Sequence, residues 1–160
     1  METDVRWHSV TTPADEALDT HAQSLLGPGA VSSGRLCPAC GSDGHGRPWL
    51  RHEGRGLHAS LARSGPHLVT VLADRPVGVD VEAAVIDVRP GLVHAPGEAG
   101  DLARAWARKE AILKMRGTGL ATPMVEVVLA AERWRDLPSP DGYVAALAAW
   151  ELVRRADGSE

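Results

Sequence analysis

The stretch Val77-Gly78-Val79-Asp80-Val81-Glu82 alternates valine with small or acidic residues. A period of two is typical of a β-strand with one buried and one exposed face. The alternation also sends Asp80 and Glu82 to the same face, with Cα atoms roughly 6.5–7 Å apart. Two carboxylates at that separation can share a hard cation such as Mg²⁺, which also takes water and phosphate oxygens. The same pattern fits a surface strand with two solvated acids, so the choice depends on the rest of the chain.

The composition limits the class of protein. A chain of 160 residues favours one domain with a sizeable core. Its formal net charge of −4 gives no basic field of the kind that nucleic-acid binding uses. The sequence predicts no secretory signal, and no apolar run approaches the ~20 residues of a membrane span. We therefore expect a cytoplasmic protein that binds neither nucleic acid nor a membrane.

The most regular pattern is a helix over residues 101–116. Gly100-Asp101 supplies an N-cap, and Gly117 supplies the C-terminal stop. Trp106, Glu110 and Lys114 repeat every four residues and so share one face. The chain has fifteen arginines and only two lysines, at 109 and 114. A compact ammonium suits a phosphate oxygen, although Glu110 and Lys114 also have the order of an ordinary surface ion pair.

The remaining segments give weaker patterns. A helix is predicted over Ala14–Leu26, with Thr12 and Pro13 at its start and Gly27 at its end. Loops are predicted at 27–29 and 32–34. Extended segments are predicted at Leu57–Arg63, His67–Ala73 and Thr122–Ala130. A turn at Asp74–Pro76 is predicted to join His67–Ala73 and Val77–Glu82 in a hairpin. Tyr143–Val153 is ambiguous between helix and strand.

Two cysteines form a short motif, Cys37-Pro38-Ala39-Cys40-Gly41, with His45 five residues further on. A structural zinc site needs four ligands, and the chain has no second cysteine pair. Three interpretations stay open: a tight turn with two free thiols, a metal knuckle that borrows His45 or His52, and a redox pair.

Together these motifs resemble the 4′-phosphopantetheinyl transferases, in particular their two-lobed, surfactin-synthetase-activating type, with a shortened N-terminal segment. That family carries a (V/I)-G-(V/I)-D-(V/I)-E strand and a (W/F)-x-x-K-E-(A/S)-x-x-K helix. The chain matches both, as VGVDVE at 77–82 and WARKEAILK at 106–114. CPACGSDGHGRP at 37–48 and SLARSG at 60–65 resemble two less specific family segments. The resemblance covers about residues 36–150.

The resemblance implies an α+β fold. Two similar lobes would be related by a pseudo-two-fold axis, each with a helix packed on a small antiparallel sheet. The N-terminal lobe would span residues 1–75, and the C-terminal lobe, residues 76–160, would carry the metal and catalytic motifs. Coenzyme A would lie in the cleft between them, and Tyr143–Val153 would be at least partly strand.

The resemblance also implies a reaction. A serine of an apo acyl or peptidyl carrier protein would attack the β-phosphorus of coenzyme A, take its 4′-phosphopantetheine group and release 3′,5′-ADP. Asp80, Glu82 and Glu110 match the family's ligands for Mg²⁺, with Mn²⁺ as a possible substitute. Glu110 would also be the general base, directly or through a metal-bound water, with Lys114 beside the pyrophosphate. The positions that would contact coenzyme A are Arg47, Pro48, Arg63, Ser64, Lys109 and Lys114.

The expected partners are coenzyme A and the carrier protein, with the enzyme itself a monomer. Carrier proteins are typically acidic near their serine, so Arg104 and Arg108 are predicted to help dock them. Two other functions compete. One is a non-catalytic relative that binds carrier proteins or coenzyme A. The other is a small zinc-binding interaction domain built on Cys37 and Cys40.

Overall fold

A computed structural model describes residues 2–37 and 39–152 of the chain. Within those ranges the protein is α+β, with two α-helices and two antiparallel sheets. The helices are α1 (Ala14–Leu26) and α2 (Leu102–Arg116). The strands are β1 (Asp4–Ser9), β2 (Val31–Leu36), β3 (Arg47–His52), β4 (Arg55–Ser64), β5 (His67–Ala73), β6 (Val77–Ala83), β7 (Trp134–Leu137) and β8 (Tyr143–Ala149).

The two sheets come from consecutive parts of the chain. Strands from residues 4–73 form a five-stranded sheet in the order β1-β5-β4-β3-β2. Strands from residues 77–149 form a three-stranded sheet in the order β6-β8-β7. In the second sheet Val79 lies opposite Leu147, and Asp80 lies opposite Ala146.

The sheets pack face to face, with one helix on each outer side. Alternate residues of β5, β6 and β8 form the core between the sheets, among them Val71, Val79 and Leu147. The other face of β8 packs with α2, and Leu18 of α1 packs on the far side of the five-stranded sheet. The layers are therefore helix, sheet, sheet, helix, and the middle strands are buried on both faces.

Both α-helices have the bounds that local sequence predicts, within one residue. The Asp101 side chain caps α2 by accepting a hydrogen bond from the Arg104 amide, and Gly117 ends it in the left-handed conformation. Pro13 is the N-cap of α1 and makes no side-chain cap, which differs from the predicted role of Thr12. No helix in the described part of the chain has the length and apolar character that crossing a membrane requires.

The predicted strand at residues 77–82 is present as β6, but two expectations about it are wrong. It does not form a hairpin with β5. It lies in the other sheet, pairs with β8, and faces β5 through its valines. Nor is one of its faces exposed, since residues 77–81 are all buried. The reason is tertiary: α2 covers the face that carries Gly78 and Asp80, and a Cβ on Gly78 would lie 2.0 Å from the carbonyl oxygen of Ala111.

Other segments also differ from expectation. Residues 32–34, predicted as loop, belong to β2. Thr122–Ala130, predicted as a strand, contains 3₁₀ turns instead, because Met124 and Val127 are buried three residues apart. The implied strand near the C-terminus is present as β8, which ends at Ala149; residues 153–160 lie outside the described range.

Candidate active site

The site is built where β6 meets α2. The Asp80 side chain projects from the face of β6 that α2 covers, and the residue is only 4% exposed. Its Oδ1 accepts a hydrogen bond of 2.6 Å from Lys114 Nζ, which also donates to the Val79 carbonyl at 3.2 Å. The sequence predicted both residues for the site, and the structure brings them into direct contact.

The second oxygen of Asp80 is left without a partner. Among the described residues, nothing donates a hydrogen bond to the buried Oδ2 atom. A buried polar atom without a partner costs free energy, so an orphaned carboxylate oxygen of this kind marks a position where a ligand would be stabilised. A cation is the ligand that a carboxylate oxygen favours.

Glu82 and Glu110 lie within electrostatic range of Asp80. Burial raises the pKa of Asp80 to about 7, with Glu110 and Glu82 adding to the rise and Lys114 opposing it. Burial likewise raises the pKa of Glu82, where Lys114 again opposes the shift. The pKa of Glu110 is also raised by burial and held down by Lys114. All three pKa values are raised, as expected of carboxyl groups that are shielded from water and share a single lysine as their cation.

The donor set fits a hard divalent cation. It offers carboxylate oxygens, carries more negative than positive charge and contains a buried oxygen without a partner. The oxygen atoms of the three carboxylates are not as close together as the ligand atoms of a closed metal site. Within the described residues, the only such group whose ligand atoms all lie within 4.8 Å of one another is Cys37, Cys40 and His45.

A cavity of about 390 Å³ adjoins this cluster. Lys114 connects the two, because its ammonium holds Asp80 while its side chain lines the cavity. Arg47 and Pro48 of β3, both predicted from the sequence, also line the cavity. Ligand pockets in proteins span ~300–1,000 Å³, so the cavity can take a substantial part of a small molecule.

Arg47 gives the cavity an anion-binding character. Its Nη2 atom is buried and has no hydrogen-bond partner within the described ranges. Burial also lowers the pKa of Arg47, although a guanidinium stays charged throughout the physiological range. A buried guanidinium nitrogen with an unused donor is suited to a phosphate oxygen.

Three predicted coenzyme A contacts lie away from this cavity. Arg63 and Ser64 are at the far end of β4, where Arg63 donates to the Thr12 carbonyl at 3.1 Å. Lys109 is fully buried and donates to the Val93 and Met124 carbonyls and to Glu98. None of these three residues lines the cavity.

The placement of Lys109 corrects its predicted role as a ligand contact. Its three ammonium donors are all used within the protein, and none of the side chain is exposed. Lys109 therefore holds the segments around Val93, Glu98 and Met124 against α2. It is a residue of the core.

Sequence reasoning missed several residues that line the cavity, among them Arg35 and Ser60. Arg35 of β2 lies there because β2 pairs with β3, which places it opposite Pro48. Since residues 32–34 were predicted as loop, nothing local indicated that pairing. Ser60 also lines the cavity, and its hydroxyl accepts a hydrogen bond of 3.2 Å from the Val79 amide on the outer edge of β6.

The predicted docking arginines differ in their availability. The Arg108 side chain is only 19% exposed, makes two hydrogen bonds to Asp136 and stacks on the Trp134 ring at 4.2 Å. Arg104 is more exposed and lies 3.6 Å from the same carboxylate. A partner would therefore meet Arg104 more readily than Arg108.

Comparison with known proteins gives no further assignment. No protein-family model matches the chain, and no curated protein is significantly similar to it. The residues of the site are therefore the basis for any function assigned to it.

Proposed function

We propose that this protein transfers the 4′-phosphopantetheine group of coenzyme A to a serine of an apo acyl or peptidyl carrier protein. The observation that carries the proposal is the buried Asp80 carboxylate with its unpartnered Oδ2, beside Glu82, Glu110 and Lys114 and next to a cavity containing Arg47. The two motifs that resemble the transferase family are the ones that build this cluster.

Asp80, Glu82 and Glu110 would hold Mg²⁺ or Mn²⁺. When bound, the cation supplies charge neutralisation for a pyrophosphate and thereby stabilises a developing negative charge on phosphate oxygens. Lys114 holds Asp80 and also lines the cavity, so its ammonium could pair with a pyrophosphate oxygen of a molecule bound there. Arg47 can pair with a second phosphate through its unused Nη2 donor.

Glu110 is the proposed general base. Burial raises the pKa of Glu110 against the opposing charge of Lys114, which moves the carboxyl toward neutral pH as a general base requires. The carrier serine oxygen forms a bond to the β-phosphorus while the bond between that phosphorus and the 3′,5′-ADP oxygen breaks. The serine proton passes to the Glu110 carboxylate, and 3′,5′-ADP leaves with the electron pair. A base of this kind contributes about 10²–10⁴ in rate.

A binding function without transfer is the second candidate. Arg63, which was expected to contact coenzyme A, lies outside the cavity, and this favours weaker binding of coenzyme A. Such a protein would bind coenzyme A or a carrier through Arg47 and Lys114 and leave the carrier serine unmodified.

A labelling assay separates the two. The protein is incubated with a fluorescent coenzyme A analogue, Mg²⁺ and a panel of apo carrier proteins from fatty-acid, polyketide and peptide synthesis. We expect label on the carrier serine, lost on chelation of Mg²⁺. Arg47→Ala should raise the KM for coenzyme A by about tenfold or more, since a charged hydrogen bond contributes about 1.5–3 kcal/mol. Binding of coenzyme A without label on any carrier would favour the second candidate and contradict transfer.

A further inference from the structure

The loop between β2 and β3 gathers two thiols and an imidazole. Cys37, Cys40 and His45 each offer one ligand atom, and these three atoms all lie within 4.8 Å of one another. The contact from Cys40 Sγ to His45 Nε2 is 3.3 Å. Both cysteines are free thiols, and Cys40 and His45 are exposed. His52 does not take part, because its Nε2 lies 3.0 Å from the Gly27 carbonyl oxygen.

The backbone holds the loop in this shape. The Gly41 amide donates to the Cys37 carbonyl at 2.8 Å, and the Cys37 amide donates to the Ser42 carbonyl at 2.9 Å. Gly46 then passes so close to Cys37 that a Cβ on it would lie 2.6 Å from the Cys37 amide nitrogen. This contact and the pairing of Leu36 with Arg47, where β2 ends and β3 begins, bring the two ends of the loop together and return His45 to the cysteines.

The distances match a tetrahedral zinc site. Zn–S bonds of about 2.3 Å and Zn–N bonds of about 2.0–2.1 Å place neighbouring sulfur and nitrogen ligands roughly 3.5 Å apart. The 3.3 Å between Cys40 and His45 is close to that value. Two thiolates and an imidazole are also softer ligands than Mg²⁺ accepts, and they suit Zn²⁺. We propose that Cys37, Cys40 and His45 bind one Zn²⁺ ion, with a fourth coordination position open to solvent or to a ligand.

The site lies beside the cavity of the proposed active site and is distinct from its acids. Cys37 and Gly46 line that cavity, and Arg47 follows Gly46 directly. A metal across the loop would therefore fix the start of β3 and with it the position of the Arg47 guanidinium. The zinc site does not depend on the transfer reaction, and each can be tested without the other.

Metal binding to the full chain tests the proposal. Protein kept reduced by a phosphine is stripped of metal and titrated with Zn²⁺ and, separately, with Co²⁺. We expect about one ion per chain, and a cobalt spectrum with sulfur-to-metal charge transfer and the visible bands of tetrahedral coordination. The amides of Cys37 and Gly41 should also exchange hydrogen more slowly with metal bound.

Matched variants assign the ligands. Cys40→Ser and His45→Ala should each weaken Zn²⁺ binding at least tenfold, whereas Asp43→Ala, an exposed acid in the same loop, should bind as the parent does. Circular dichroism of each variant shows whether it is folded, and the two ligand variants give independent tests. A reduced parent that takes up no stoichiometric zinc, or a Cys40→Ser and a His45→Ala protein that both bind like the parent, would overturn the proposal.

Discussion

Replacing Asp80 with asparagine is expected to stabilise the fold while abolishing metal-dependent activity. The Asp80 carboxyl is almost fully buried, and its pKa lies at about 7 instead of the ordinary 3.8. That displacement corresponds to about 4 kcal/mol against the charged form in the folded protein. Asparagine keeps the shape and can still accept the hydrogen bond from Lys114 through its carbonyl oxygen, but it does not ionise.

The gain should depend on pH. Below about pH 4 the carboxyl is protonated in both the folded and unfolded states, and its burial has no electrostatic cost. Between that pH and about 7 only the unfolded state ionises, so the parent loses stability as the pH rises. The difference in unfolding free energy between Asp80→Asn and the parent should therefore increase by about 2–3 kcal/mol when the pH is raised from about 5 to about 8.

Urea unfolding at the two pH values measures this gain. The unfolding free energy falls by about 1–3 kcal/mol per molar urea. The difference in unfolding midpoint between Asp80→Asn and the parent should therefore be roughly 1–2 M urea larger at the higher pH than at the lower pH. Asp87→Asn is the matched control, because Asp87 is exposed just beyond the same strand. Mg²⁺ at the higher pH should stabilise the parent and leave Asp80→Asn unaffected. A gain for Asp80→Asn that is equal at both pH values, or absent, would refute the reasoning.

Three further substitutions test the catalytic and structural assignments. Glu110→Gln should lower the transfer rate by about 10²–10⁴-fold with coenzyme A binding retained in calorimetry, and an unchanged rate would remove Glu110 from the role of base. Lys109→Met should lower the free energy of unfolding in urea by about 3–5 kcal/mol. The change leaves Glu98 without its cation and the buried Val93 carbonyl without its Lys109 donor, while the Met124 carbonyl keeps only the Val127 amide. A loss below about 1 kcal/mol would contradict this structural role. Gly78→Ala should lower the free energy of unfolding by about 1–3 kcal/mol or more, since its methyl group would lie 2.0 Å from the α2 backbone. The control Gly56→Ala places its methyl group in open space and should have a melting temperature close to that of the parent.

Local sequence predicted α2 and the position of β6. The caps of α2 are encoded by Asp101 and Gly117, which need no distant partner, and both act as expected. The family resemblance also implied a strand near the C-terminus, present as β8 in place of the helix that its alanines would favour. Strands β1, β2, β3 and β7 were missed, because they are short and rich in polar residues and are stabilised by pairing with other strands. The partner of β1 is the distant β5, whereas β2, β3 and β7 pair with strands next to them in the chain.

For the candidate site, sequence alone determined which residue types stand at which spacing: two acids on one strand face, and an acid and a lysine one turn apart on α2. Only the tertiary structure decided what surrounds them. The two lysines are five positions apart on a helix, which turns them roughly 140° from each other. Lys114 therefore meets Asp80 and the cavity, while Lys109 is buried against Glu98. The order of the layers likewise places α2 over the face of β6 that carries Asp80, and Asp80 is therefore buried. Burial depends on which segments pack together and not on the local pattern of residues.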